Sequence, residues 1–370
     1  MKKLLVLFLV FCINFSHGQE LALVREMGLF GYINKSGEYA IQPKYKVAKS
    51  FSDGLAEVED SKKWGYINPK GEMALPAIYT GVSAFDNGVA LVAIGKDAFY
   101  INKKGERLTS PKTDKLFPFE NGIAFIKDGK KVGMINPQMA VILEPTYEVI
   151  KRFDGDYAKV QQNGKWGIIN RKGKVIIEPI YEEVGDVYKN STWARLGDAF
   201  GVVSDNKFKA IEGVVKIWGF SEDGYAYARK NEKIGFIDTK GNWIIEPKFD
   251  KARAFSKQLA PVSIGKKWGY VNPKGEMVID YIYFDADVFG EDGLAPVKTV
   301  KWGFTDKTGK LVIPGNYDLS VVGFNMFSGY SKGFIDGVVR VKYAGKWGFL
   351  TKDGKVLGNK WYENAELFQK

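Results

Sequence analysis

Past residue 18 this chain contains no histidine and no cysteine, because His17 and Cys12 are its only ones. Beyond that point a Ser-His-Asp or Cys-His nucleophile system cannot be assembled, nor a zinc site built on those side chains, nor a disulfide. Carboxylates and aromatic rings are left to do chemistry. Acidic residues precede glycine in Ser52-Asp53-Gly54, Glu222-Asp223-Gly224 and Glu291-Asp292-Gly293. Such carboxylates could hold calcium, or serve as the paired acids of a glycan hydrolase. None has the ligand spacing of an EF-hand loop, and repeated Asp-Gly is ordinary turn chemistry. No catalytic residue, metal or cofactor is expected.

The aromatic candidates are Trp193, Trp218, Phe324, Phe327 and Tyr330, which stand outside the repeat described next. A ring face suits the apolar side of a pyranose, and segments that break a regular scaffold carry function more often than the scaffold does. These five are the candidate binding residues. The competing reading is local repacking, with Trp193 compensating for Val187 where other units have phenylalanine.

The elements that must position them are set by the stretch Lys63-Trp64-Gly65-Tyr66-Ile67-Asn68-Pro69-Lys70-Gly71-Glu72. Gly65 has counterparts at Gly31, Gly133, Gly167, Gly201, Gly235, Gly269 and Gly303, at intervals of 34 or its multiples. Phe99 fills the one gap, and Gly348 arrives 11 residues late. A 34-residue period can mean helical tetratricopeptide repeats. Here the aromatic before each glycine and the Ile or Val two places after it alternate with period two, which predicts a strand. Asn or Asp then opens a type I turn and glycine closes it, as in Asn68-Pro69-Lys70-Gly71, predicting a hairpin. The returning strand ends near a proline such as Pro145 or Pro247. A loop follows, leading through Phe51, Phe85 or Phe289 to a third strand such as Gly54-Leu55-Ala56-Glu57-Val58.

Along each Trp-Gly strand the Trp, Tyr and Asn positions face one side and the Ile position the other. Both faces are apolar in the middle, so neighbouring units must stack on both. The predicted fold is all-β: about ten three-stranded meander units of 34 residues, stacked as an open β-solenoid or superhelix. A β-propeller is the alternative, because closed propellers typically have 4 to 8 blades of four strands. Each Gly65-type glycine is expected where a bulky aromatic of a neighbour crosses the backbone closely.

Residues 1–18 read as a signal peptide: Lys2 and Lys3, an apolar run from Leu4 to Phe15, then Ser16-His17-Gly18 before a cut ahead of Gln19. The repeat domain then occupies 19–370, with an insertion within 318–333. No later apolar run is long enough to span a bilayer as a helix. The processed chain carries 52 basic and 43 acidic side chains, or +9, suited to a lysine-rich solvated surface or to anionic envelope polymers. Nucleic acid is not an expected partner of an exported protein.

The Trp-Gly-Tyr-Ile-Asn-Pro-Lys-Gly pattern resembles the WG-repeat, or KWG-repeat, family of bacterial proteins, most clearly at Trp64, Trp166, Trp268, Trp302 and Trp347. The resemblance implies tandem β-rich units, often in exported or envelope proteins, and no shared reaction, cofactor or ligand. The units around Phe99 and Val132, and from Gly185 to Gly219, depart from the pattern. The functional expectation is a non-enzymatic exported scaffold, periplasmic, cell-surface or secreted, that binds a protein or glycan. The alternative is a carboxylate-based glycan hydrolase on a repeat scaffold.

Overall fold

A computed structural model describes residues 20–319 and 333–369. They form ten small antiparallel sheets and one 3-10 turn, Leu357–Asn359. The third sheet shows the full pattern: strands Gly81–Val82, Val89–Ile94, Asp97–Asn102 and Arg107–Leu108, hydrogen-bonded in that order. Most sheets thus have four strands where three were predicted, a two-residue strand being added at one edge.

Sheet boundaries also fall elsewhere than the repeat suggested. The third strand of each sequence unit pairs forward with the next Trp-Gly strand; Ala56–Asp60, for example, lies against Lys63–Ile67. The two residues between them, Ser61 and Lys62, both take positive φ (51° and 65°), as the tightest hairpins require. That geometry fixes the two strands as neighbours.

The predicted Asn turns are present in eight copies. In each, one side-chain oxygen accepts the backbone N–H groups two and four residues on; Asn68 receives Lys70 (3.0 Å) and Glu72 (3.1 Å), and Asp306 receives Thr308 (2.9 Å) and Lys310 (3.1 Å). In seven of them the turn closes on a glycine with φ near +80°, as at Gly71 (79°), and in the eighth on Met139 (62°).

Packing between sheets follows the two-faced strand. The Tyr face of one sheet meets the Ile face of the next: Tyr32 and Ile41 pack on Ala56, Val58 and Ile67, and Tyr270 and Ile279 on Ala295 and Val297. The phenylalanine before each loop seals this contact edge-on, with Tyr66 and Phe85 ring centroids 4.8 Å apart and Phe236 and Phe255 4.6 Å apart. Ten such cores exist for ten sheets, and the tenth joins Phe349 and Tyr362 near the C-terminus to Ala22, Val24 and Ile33 near the N-terminus.

The chain ends are hydrogen-bonded as well. Strand Asn364–Ala365 is the missing first strand of the first sheet, pairing with Ala22–Glu26. The units therefore close into a propeller-like ring, the alternative, instead of the open spiral. Each sheet remains open, but the last strand supplies what the first sheet lacks. Closure removes the two unpaired faces that an open stack would leave wet.

The Gly65-type glycines are also differently employed. A Cβ built on Gly269 would lie 2.4 Å from the Ile279 carbonyl oxygen, and on Gly133 2.3 Å from that of Leu143. The crowding group is the backbone of the returning strand, which slips register there as a bulge. Only at Gly348 is an aromatic the neighbour, the Trp361 ring at 2.7 Å.

Candidate functional site

The short first strands and the loops after them converge on a cavity of about 760 Å³. Its wall draws on five consecutive sheets, with Glu366 from the first, Lys49 and Glu57 from the second, Phe85 from the third, Glu120 from the fourth and Arg152 from the fifth. Consecutive sheets can share one wall only if their first strands face the hollow of the ring.

Glu57 is the unusual member, with 1% of its surface exposed. Its carboxylate pairs with Lys49 at 3.3 Å. Burial raises its pKa above the usual 4.5, with the Lys49 charge opposing. Glu120 is likewise raised by burial against the opposing charge of Arg152, whose guanidinium it meets at 2.5 Å. Glu366 accepts a hydrogen bond from the Ser50 hydroxyl. Tyr32 lies beneath, donating to the Lys49 carbonyl at 2.7 Å, its pKa pushed up by burial and then by the Glu57 charge. Nothing in the repeat marked Glu57, since the matching position is Leu23, Leu91, Phe125 or Trp193 in other sheets. The column also holds Lys159 and Arg340, so the signal available was only a single acid in a mixed column.

A folded-state pKa above the unfolded one means that ionising Glu57 costs stability as pH rises from about the ordinary 4.5 through the folded value. Glu57→Gln removes that cost. The difference in urea midpoint between Glu57→Gln and the parent should shift toward the variant as pH is raised from 4 to 8, and a pH-independent difference would contradict the assignment.

The acidic-glycine motifs are tied up in joining sheets. Asp53 accepts from the Gly88 N–H (2.6 Å) and pairs with Lys103 (2.7 Å), and Asp223 accepts from the Gln258 N–H (2.9 Å). Asp292 pairs with Lys352, and Glu291 with Lys257. They act as loop ties between successive sheets.

The register tryptophans have cations on their faces: Lys49 lies 5.2 Å from the Trp64 ring centre, Arg253 4.9 Å from Trp268 and Arg340 4.6 Å from Trp347. Those faces pack on neighbours, as the packing reading of the repeat requires. Trp193 sits in strand Ser191–Leu196 of the sixth sheet, its indole over Gly185, where a Cβ would meet Nε1 at 2.2 Å. Trp218 lies beside the seventh sheet and stacks on Tyr227 (4.6 Å, 14°), with Lys216 4.8 Å from its ring. Backbone pairing shows their equivalence to the cavity residues. The Lys49 N–H bonds the Glu57 carbonyl just as the Gly185 N–H bonds that of Trp193 and the Trp218 N–H that of Tyr227. The two tryptophans hence occupy the Glu57-like and Lys49-like positions of adjacent sheets and are not brought into one cluster. Phe324, Phe327 and Tyr330 lie outside the described residues.

No helix among the described residues is long and apolar enough to cross a membrane. No curated protein matches the sequence. Among solved structures, a eukaryotic initiation factor matches with 10% identity and a TM-score of 0.48, over 95% of this chain and 98% of that one. The dihydro-heme d1 dehydrogenase NirN matches with 11% identity and a TM-score of 0.30, over 70% of this chain and 72% of its own. Kluyveromyces lactis Hsv2p matches with 7% identity and a TM-score of 0.28, over 60% and 91%. The fold assignment rests on this chain's own strand pairing. The model of the WG containing repeat matches residues 30–64, 64–96, 99–131, 133–166, 166–198, 234–268, 268–299 and 302–324, passing over the stretch around Gly201 to Gly219 where the sequence departs from its pattern. With most of its length so matched, the chain belongs to the WG containing repeat family.

Proposed function

We propose that this repeat scaffold is a non-enzymatic, exported binding protein, and that its ligand, a glycan or a segment of a partner protein, enters the cavity bounded by Glu57, Glu120, Arg152 and Glu366. The observation that carries this reading is the cavity itself: about 760 Å³ of space that mixes aromatic rings with charged groups from five sheets. Ligand sites have that composition, an apolar wall with a few polar groups that fix orientation. Export is supported by the leader-like residues 1–18, and a chain otherwise free of cysteine suits a fold held by packing.

One observation favours the hydrolase alternative: Glu57 and Glu120 line the same cavity, and burial raises both, as a general acid needs. Against it, each carboxylate already has a cation beside it, and the two stand on sheets separated by a third. The test is a glycan array and an envelope-fraction pull-down with protein lacking residues 1–18, repeated with Arg152→Ala and Glu57→Gln. A ligand held by the parent and lost by both variants supports the cavity as the site. A ligand unaffected by either overturns it, and turnover of chromogenic glycosides abolished by Glu57→Gln would establish the hydrolase instead.

A further inference from the structure

The ten sheets are copies of one another, so a position where some copies depart from the shared pattern is informative. One such position lies 15 residues after the Gly65-type glycine, where the chain crosses to the next sheet. There the backbone N–H makes the same bond in each case, Glu148 to Gln161, Glu182 to Arg195, Asp250 to Ser263 and Phe284 to Lys298. In six of the ten copies, with Lys46, Thr80, Lys216 and Phe284 as the exceptions, the side chain is an acid. It receives the lysine found 17 residues earlier: Lys131 to Glu148 (3.4 Å), Lys165 to Glu182, Lys233 to Asp250 (2.5 Å) and Lys301 to Asp318 (3.3 Å). The same carboxylates accept backbone N–H groups of the next hairpin, as Asp250 does from Gly265 (2.6 Å) and Glu182 from Gly197 (2.8 Å).

Between the eighth sheet (Lys251–Ala252, Ala260–Ile264, Lys267–Val271, Met277–Tyr283) and the ninth (Asp285–Ala286, Ala295–Lys298, Trp302–Thr305, Leu311–Tyr317) the lysine is kept, as Lys267, and the acid is replaced by Phe284. Lys267 donates to the Ile282 carbonyl (3.1 Å) and lies 3.4 Å from the centre of the Phe284 ring. Phe284 is 57% exposed, and around it Ile264 (51%), Ile282 (53%) and Val300 (84%) are exposed as well. Lysines 266, 298 and 301 lie in the same hairpins. A lysine built to meet a carboxylate here has an aromatic platform beside it and apolar side chains around.

We infer that this corner of the ring docks an acidic, apolar peptide segment of a partner protein, whose carboxylate takes the place beside Lys267 that Asp250 and Glu182 fill within the chain elsewhere, while its apolar neighbours cover Phe284 and Ile282. Charge complementarity selects the occupant: the patch presents cations and apolar surface. Lys63 also lacks its acid, with Thr80 in that place, but only at Phe284 does an exposed aromatic ring stand there beside the lysine. The site lies on the eighth and ninth sheets, away from the cavity of the first five, so either can fail alone.

The experiment measures binding of acetylated octapeptides that alternate Asp or Glu with Leu or Phe to the full ring, with Lys-for-acid counterparts as controls and phosphatidylglycerol vesicles in parallel. Acidic peptides should bind the parent, and Phe284→Asp should weaken them at least about tenfold while leaving the melting temperature equal or higher, because it restores the internal ion pair. Lys267→Ala should weaken them comparably; Lys233→Ala, at an equivalent lysine with its own acid, should not. Equal binding of basic peptides, binding that survives Phe284→Asp, or retention by vesicles without peptide binding would each overturn the inference.

Discussion

A chain ending at Gly358 should melt far below the full chain or lose its cooperative transition. The last eleven described residues, 359–369, supply the closing strand of the first sheet. The backbone bonds from Glu363 N–H to the Arg25 carbonyl (3.0 Å), from Glu366 N–H to Leu23 (2.8 Å), and between Leu21 and Gln369 in both directions (2.8 and 2.9 Å) would all be lost. So would Tyr362, 1% exposed, whose ring fills the tenth core beside Phe349 and Val24. Each hydrogen bond contributes about 1 kcal/mol net and each large buried side chain about 1.5–3 kcal/mol, so the total reaches several kcal/mol. Native proteins hold only about 5–15 kcal/mol in all. An open spiral would lose one terminal repeat and little else, whereas a ring loses its first and last sheets together. Circular dichroism melting and dye binding by exposed apolar surface should show a melting temperature lower by more than about 10 °C, or no cooperative transition. A peptide covering 359–370, added in trans, should restore part of the transition. A truncated protein that melts within about 2 °C of the full chain would refute closure.

Gly269→Val should be among the most destabilising single substitutions in the chain, and Gly269→Ala should already show most of the effect. The first added carbon would lie 2.4 Å from the Ile279 carbonyl oxygen and 2.9 Å from the Asp280 carbonyl carbon and oxygen. These are backbone atoms at a bulge that two ladders hold in place, so they cannot rotate away as a side chain would. Overpacking of this kind costs about 1–3 kcal/mol, and more when the backbone must shift. We expect about 3 kcal/mol or more in urea denaturation. Gly219→Ala is the control, because a Cβ there meets nothing within 4 Å, and it should stay within about 0.5 kcal/mol of the parent. Equal stability for Gly269→Ala and the parent would remove the backbone contact as the reason for this glycine column.

The candidate site was legible only in part. Trp193 and Trp218 do stand at special positions, equivalent to Glu57 and Lys49, and the departure from pattern around Gly185 is what exposed them. Their faces are taken up by Gly185 and Tyr227, which no spacing could reveal, because the partner in each case comes from a strand paired across the sheet. Glu57 and Phe284 were invisible for a related reason. Each is an ordinary residue whose meaning depends on what its counterparts in nine other copies touch.

The amino-acid sequence alone determined everything with a short range: the strands, from the two-residue alternation around each Trp-Gly pair; the hairpin turns, from Asn or Asp followed by glycine; and the need for stacked neighbours, from apolar residues on both strand faces. Those features follow from backbone preference and burial within a single 34-residue unit. Tertiary structure decided which sheet each third strand joins, what crowds the glycines, where the cavity opens, and that the ends meet. Closure depends on the small rotation between one sheet and the next, summed over ten packed interfaces, and no individual repeat encodes that sum.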